Sequence, residues 1–276
     1  MIDLHLHTTA SDGRYRPEEI AVVARRAGLT VIGVTDHDTV GGLDRAAAGC
    51  ADEGLQLVPG IEVTAVQEDV DVHVLGYLFD PRAPVLEEFL AAQRADRVRR
   101  LREMVARLAD LGLPVDLESL LRGAAAGQAV GRPMLAGALV DAGFVESRRE
   151  AFDRYLGEGR PAWVSRRAPS PAAVVSLIHH AGGLASLAHP ALLGRDEWIS
   201  GMAASGLDAV EAYYSDHSPD VTIHYIDLAR RLGLATTGGS DYHADPHHGS
   251  ERLGECVLPP EAFEELINRR RRGTLS

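Results

Sequence analysis

The sequence predicts an α/β fold, a seven-stranded barrel interrupted by a helical insertion. Three observations predict it. Short β-type runs alternate with helical runs along the first eighty residues. A long helical pattern then replaces that rhythm, and the alternation resumes after Pro161. Strands that alternate with helices favour a parallel sheet covered on its faces, and seven such units suit a barrel better than an open sheet, although periodicity alone does not separate the two.

The elements follow in order. Ile2–His7 reads as a strand. Pro17–Ala27 reads as a helix, because Pro17 suits the first turn, Glu18 and Glu19 suit the positive end of the dipole, and Gly28 stops it. Val31–Thr35 is the next strand and Leu43–Glu53 the next helix, with Gly54 behind it. Leu55–Thr64 and Val70–Leu78 follow as strands. Pro84–Leu111 is a long helix whose apolar residues Val98, Leu101, Val105, Leu108 and Leu111 recur near the 3.6-residue period. Short helical pieces continue to about Gly159. Pro171–His180 is then a helix, Leu184–His189 and Leu207–Tyr213 strands, Asp220–Leu232 a helix, Leu234–Gly238 a strand and Pro260–Arg271 a terminal helix. The domain division expected is a barrel of residues 1–79 and 161–276, with a helical insertion over 80–160 acting as a lid.

Composition excludes several chemistries. The 276 residues carry 28 basic and 40 acidic side chains, a formal charge of −12. All the basic residues are arginine. A chain without lysine has no Schiff-base nucleophile and no P-loop lysine. Bulk charge of this sign argues against sequence-independent binding to duplex DNA, while an Arg-lined pocket stays open. Cys50 and Cys256 are too few for a disulfide framework or a Cys-rich zinc site. No basic-then-apolar leader opens the chain, and no run approaches 18 apolar residues, so a cytoplasmic protein without membrane contact is expected. The oligomeric state is not legible. Arg269–Arg272 reads as a solvated helix end complementing the dipole.

The 12 histidines carry the functional argument. In Asp3-Leu4-His5-Leu6-His7 the two imidazoles project from one face of a strand, a natural chelate for a divalent metal. Gly238-Gly239-Ser240-Asp241-Tyr242-His243 places a carboxylate and an imidazole two apart beyond a late strand. Between them Asp36-His37-Asp38, Glu62, His73 and His189 each sit at or near a strand end, and Asp12 follows the first strand on its loop. One histidine in an apolar run is commonly a satisfied core residue. Metal-type side chains at six strand ends that face one common site are not explained that way.

In this order the HxH, TDHD, PGIE, HVLGY, AHP and SDYH segments resemble the PHP (polymerase and histidinol phosphatase) family of metal-dependent phosphoesterases. The likeness covers nearly the whole chain, including Gly131-Arg132-Pro133, and is closest to the branch of nucleoside 3′,5′-bisphosphate phosphatases and 5′→3′ exonucleases on short RNA. The resemblance implies a distorted (βα)7 barrel holding two or three divalent metal ions, Mn foremost, with Fe or Zn as alternatives. It implies one metal on His5, His7, Glu62 and Asp241. It puts a second on Glu62 as bridge with His73 and His189, and a third on Asp12, His37 and His243. Mixed N/O ligation suits such ions, and Asp36 and Asp38 are candidates for orienting imidazoles. Two positions depart from the branch: Met134 and Tyr214 stand where relatives carry histidine, which puts substrate handling near the insertion in doubt and leaves the metal site intact.

The activity implied is hydrolysis of phosphate esters of small nucleotides or short RNA 5′ ends by a metal-bound hydroxide, with Glu62, Asp241 and His217 at the chemistry. No G-x-S-x-G elbow is present. Arg132 and His217 are the candidate substrate-phosphate contacts; His217 is alternatively the leaving-group acid or a turn-capping residue. His179, His180, His224, His247 and His248 read as structural or surface residues. Competing readings are a histidinol-phosphate phosphatase, a non-catalytic PHP module of a polymerase assembly, and C–N hydrolysis on an amidohydrolase-type barrel. Intact ligands weigh against the second, and the missing lysine against the third.

Overall fold

The structure is a computed structural model that describes residues 1–125, 131–244 and 253–273. Positions His247 and His248 lie outside the described residues. Seven strands form one sheet in sequential order: β1 (Ile2–Leu6), β2 (Val31–Val34), β3 (Gln56–Gln67), β4 (Val70–Tyr77), β5 (Leu184–Leu187), β6 (Ala209–Tyr214) and β7 (Ala235–Gly239). The helices are α1 (Pro17–Arg26), α2 (Leu43–Glu53), α3 (Pro84–Asp110), α4 (Leu117–Ala125), α5 (Arg132–Asp141), α6 (Arg148–Ala151), α7 (Pro171–His180), α8 (Pro190–Leu193), α9 (Asp196–Ala204), α10 (Pro219–Leu232) and α11 (Pro260–Gly273). A π-helical turn, Phe152–Leu156, follows α6. Among the described residues no helix is long and apolar enough to cross a membrane.

The helix stops are those the glycines announce. Gly28 (φ +84°) follows α1 and Gly54 (φ +66°) follows α2, both in the left-handed region that glycine enters without strain. Leu111 departs from the apolar face expected of the long helix. It is exposed, because α3 ends at Asp110 and Gly112 (φ +79°) turns the chain away.

The sheet rolls into a nearly closed barrel. The Leu6–Tyr242 bridge completes the ring, with His7 N–H donating to Tyr242 O at 3.0 Å and Tyr242 N–H to His5 O at 3.3 Å. Gly239 allows this closure. A Cβ there would lie 2.3 Å from His5 Cβ and 2.5 Å from His5 N, so only glycine lets β7 pass so close to β1. The barrel is not wholly parallel, in contrast to the alternation read from the sequence. β4 runs antiparallel to both β3 and β5. The cause is the two-residue turn Glu68-Asp69, both at positive φ (+50° and +65°), which makes β3 and β4 a tight hairpin. β3 also extends to Gln67, so Glu62 lies mid-strand, as His73 does within β4, rather than at strand ends.

The chain divides into two compact units, Met1–Glu88 with Ala168–Ser276, and Phe89–Arg167. The first boundary between them falls within α3. In the first unit, Ile2, Leu4, Val58, Leu75, Tyr77, Leu184 and Ala209 pack with Leu258 and Leu266. The Tyr77 hydroxyl inside this core donates to Leu4 O at 3.1 Å, which satisfies the one polar atom it buries. The second unit has a core of its own, where Leu101, Met104 and Leu108 of α3 meet Leu135 and Leu139 of α5 and Val164.

Candidate metal centre

Alternation along β1 turns Asp3, His5 and His7 to one face, and all three are buried. Backbone pairing that continues past β2 brings a fourth group in. Asp38 N–H donates to Glu62 O at 2.8 Å and Glu62 N–H to Asp36 O at 3.3 Å, so His37 lies beside Glu62.

Glu62 is the hub. Its Oε1 lies 2.8 Å from His73 Nδ1 and 3.2 Å from His189 Nε2. Its Oε2 lies 3.1 Å from His37 Nδ1, 3.2 Å from His7 Nε2 and 3.4 Å from His5 Nε2. Asp241 Oδ1 is 3.2 Å from His5 Nε2 and 3.1 Å from His7 Nε2. Asp12 faces His243 Nε2 at 3.3 Å, His7 Nδ1 at 3.6 Å and His37 Nε2 at 3.7 Å. The nine metal-type residues expected from the sequence thus stand in one cluster.

Three groups within it have donor atoms mutually within 4.8 Å: His5, His7, Glu62 and Asp241; His7, Asp12, His37 and His243; and His37, Glu62 and His73. The grouping overlaps more than the expected partition, because His7 and His37 each reach two groups. His189 stands outside the three and touches the cluster through Glu62 Oε1.

The electrostatics show what the cluster lacks. Burial pulls the His5 and His7 imidazoles down, yet neighbouring carboxylates outweigh it. Glu211, Asp241 and Glu62 hold His5 well above the ordinary histidine value, and Asp241 and Glu62 lift His7 to about 10. His37, where burial prevails over Glu62, falls to about 4. Burial would raise Glu62 and Asp241, but facing imidazoles hold both well below the usual carboxylate range. Imidazoles and carboxylates thus stabilise one another as opposite charges in a buried site. Both ring nitrogens of His7, with Nδ1 of His37 and of His73, are buried without a hydrogen bond of acceptable geometry. Buried imidazole nitrogens and carboxylate oxygens aimed at common points suit divalent cations, whose binding displaces these protons.

Supporting contacts differ in part from expectation. Asp36 orients no imidazole: it accepts from Thr8 N–H and Oγ1, both at 2.7 Å, and from Ser11 Oγ at 2.6 Å, fixing the loop that carries Asp12. Asp38 Oδ1 accepts from Thr64 N–H at 3.0 Å. Asp3, pushed up to about 6 by burial, accepts from His5 N–H and Ser240 N–H. Tyr214 also departs from expectation. Its hydroxyl donates to Asp241 Oδ2 at 3.2 Å, so this substitution touches a candidate metal ligand, not only substrate handling.

Sequence reasoning passed over Glu211. It is fully buried on β6; its Oε1 lies 2.9 Å from His5 Nδ1, and its Oε2 accepts from His189 N–H at 2.8 Å. An acid between Val210 and Ala212 in an apolar strand was the available signal.

The remaining candidates have other settings. His217 Nδ1 donates to Ala212 O at 2.9 Å, which leaves Nε2 buried and without a hydrogen-bond partner. That ring helps line a cavity of about 280 Å³ with Tyr214, Ser215 and Cys256. Arg132 opens α5 in the second unit, its guanidinium 5.9 Å from the Phe152 ring centroid. His179 pairs with Asp208 at 2.7 Å and His224 with Asp196 at 2.6 Å, both structural contacts.

Comparison with known proteins agrees with this geometry. A family profile described as PHP domain matches residues 3–144. The chain is 35% identical to a 3′,5′-nucleoside bisphosphate phosphatase of Chromobacterium violaceum, over 94% of this chain and 93% of that protein. It is 34% identical to the 5′-3′ exoribonuclease Rnm of Escherichia coli K12, over 87% and 84%. Among solved structures it resembles a metal-dependent phosphoesterase from Bifidobacterium adolescentis, with a TM-score of 0.84 and 34% identity over 97% and 96% of the two chains.

Proposed function

The chain belongs to the PHP family of metal-dependent phosphoesterases, and from that premise we propose that it hydrolyses phosphate esters of nucleoside 3′,5′-bisphosphates or of short RNA 5′ ends. The observation that carries this reading is Glu62, a buried carboxylate with five imidazoles within 3.4 Å of its two oxygens.

Under this reading His5, His7, Glu62 and Asp241 would hold one cation, Glu62 with His73 and His189 would hold a second, and Asp12, His37 and His243 would hold a third. The mixed N/O donors suit Mn, with Fe or Zn as alternatives. Divalent cations, when bound, would supply Lewis acidity for the phosphoester and its attacking water. The chain's residues do the rest. Glu62 and Asp241 would supply the negative charge that balances the cations, and the loop fixed by Asp36 presents Asp12. The Nδ1–H bond of His217 to Ala212 O leaves Nε2 as the nitrogen assigned here to the substrate. It accepts a hydrogen bond when the ring is neutral, and contacts phosphate or protonates a leaving group when the ring is cationic. Arg132 is assigned the phosphate that is not cleaved, since a guanidinium pairs with it bidentately. The unit Phe89–Arg167 holds half of the 28 arginines in under a third of the chain, a composition suited to an anionic substrate. A cytoplasmic setting fits the free thiols of Cys50 and Cys256.

The test is phosphate release with added Mn²⁺ across nucleoside bisphosphates, short 5′-phosphorylated RNAs and histidinol phosphate. Chelator-sensitive turnover of the nucleotide or RNA substrates is expected. Turnover of histidinol phosphate alone, or of none of them, overturns the substrate assignment.

A further inference from the structure

We propose that Glu211 is a positioning residue that ties two metal-binding groups of the site together, one carboxylate oxygen setting the ring of His5 and the other holding the backbone of His189. The inference rests on the metal-dependent reading above.

The geometry argues it from both ends. The two ligands come from opposite sides of the barrel sequence, His5 from β1 and His189 from the loop after β5. At His5, Nδ1 lies 2.9 Å from Glu211 Oε1, while Nε2 points at Glu62 and Asp241 at 3.4 and 3.2 Å. A carboxylate oxygen accepts from Nδ1–H, which makes Nε2, aimed at Glu62 and Asp241, the nitrogen that would give its lone pair to a cation once its own proton is displaced. At His189 the backbone has φ +25° and ψ +61°, a left-handed conformation that a residue with a side chain adopts at a cost. Its N–H donates to Glu211 Oε2 at 2.8 Å, which anchors the turn and lets the ring reach Glu62 Oε1 at 3.2 Å. Glu211 is itself fully buried, so neither contact is diluted by solvent.

Two acceptors on one rigid side chain serve two donors in two different groups. This makes Glu211→Gln a discriminating substitution, because a carboxamide has the same shape but one acceptor. If its oxygen stays on His189 N–H, its NH₂ faces His5 Nδ1; the ring must then protonate at Nε2 and close that atom to a cation. If its oxygen stays on His5, the His189 N–H is left buried and unpaired. Either way a metal-binding group is damaged without touching any ligand.

The experiment is calorimetric titration of the metal-free full chain with Mn²⁺, wild type against E211Q, with the fold checked by circular dichroism. Loss of such a supporting contact lowers metal affinity about 10- to 100-fold, and that weakening is expected. E211Q binding Mn²⁺ within two-fold of wild type overturns the proposal alone. Wild-type protein that takes up no Mn²⁺ overturns the metal-dependent reading and the proposal with it. Should E211Q not fold, nitrogen NMR of the Zn²⁺-loaded wild type decides. His5 protonated at Nδ1 and metal-bound at Nε2 supports the assignment, and the reverse overturns it.

Discussion

Substituting Glu62 by glutamine tests the shared-carboxylate arrangement directly. The change keeps shape and volume but removes the charge and turns one of two acceptor oxygens into a donor. Each oxygen of Glu62 faces a different set of imidazoles: His73 and His189 at Oε1, and His37, His7 and His5 at Oε2. Either orientation of the amide therefore deprives one group of its oxygen, and both groups lose the charge. Removing one partner of a buried ionic contact costs about 3–5 kcal/mol, which corresponds to roughly 10²- to 10⁴-fold in a binding constant. Metal equivalents retained after dialysis, counted by plasma mass spectrometry, should fall by two in E62Q, and the Mn²⁺ concentration needed for half-maximal phosphate release should rise by that factor. Loss of a single equivalent with the other undisturbed would refute the bridging role, and full retention would remove Glu62 from the site.

Three further outcomes are expected. Arg132→Ala should raise KM for a nucleoside bisphosphate more than it lowers kcat, with a loss in kcat/KM of about 10- to 150-fold from a contact of about 1.5–3 kcal/mol; steady-state kinetics on a single-phosphate substrate should show little loss. His179, whose hydrogen bond to Asp208 raises its pKa, stabilises the fold fully below the ordinary histidine value and loses that contribution as pH rises through the raised one; wild-type melting temperature should drop across that window relative to His179→Gln, and parallel curves would reject the pair. Tyr214→Phe removes the hydroxyl that donates to Asp241 Oδ2, a bond of about 1 kcal/mol, so Mn²⁺ affinity measured by calorimetry should weaken by roughly five-fold with the fold unchanged.

What the sequence made legible follows the range over which its signals act. The pairing of His5 with His7 is local, because a strand's two-residue period dictates it, and the stops at Gly28 and Gly54 are local in the same sense. The hairpin was hidden by three residues. Reading β3 as ending at Thr64 left a five-residue gap, whereas Val66 and Gln67 continue the strand and leave only Glu68-Asp69, a turn without the glycine that usually advertises it. Asp36 was misread for the opposite reason. Adjacency to His37 suggested a shared task, but neighbours on an extended chain point apart, and Asp36 turns to Thr8 and Ser11 instead. Glu211 stands out in the sequence only as an acid in an apolar strand, and its role is not legible there because its partners are distant: His5 is 206 residues away and His189 is 22.

The strand β6 shows how a barrel builds such a site from an element that supplies no candidate ligand. Regular alternation would set Glu211 and Tyr213 on one face. The register against β7 instead runs Glu211 opposite Thr237 and Tyr213 opposite Gly238, so one extra residue, Ala212, is inserted as a bulge. The bulge shifts the phase: Glu211 and Tyr214 both face the metal cluster, and Tyr213 packs on the hydrophobic core. From these two positions β6 holds the ring of His5, the backbone of His189 and the carboxylate of Asp241. Those groups come from β1, from the loop after β5 and from the loop after β7. His189 and Asp241 would otherwise depend on their own loops for placement, and a cation site tolerates little displacement of its donors. Reading all three against one rigid strand converts three independent placements into one. Deleting Ala212, which restores regular pairing, should therefore weaken Mn²⁺ binding measured by calorimetry more than Tyr214→Phe does, and equal affinities would refute the role of the bulge.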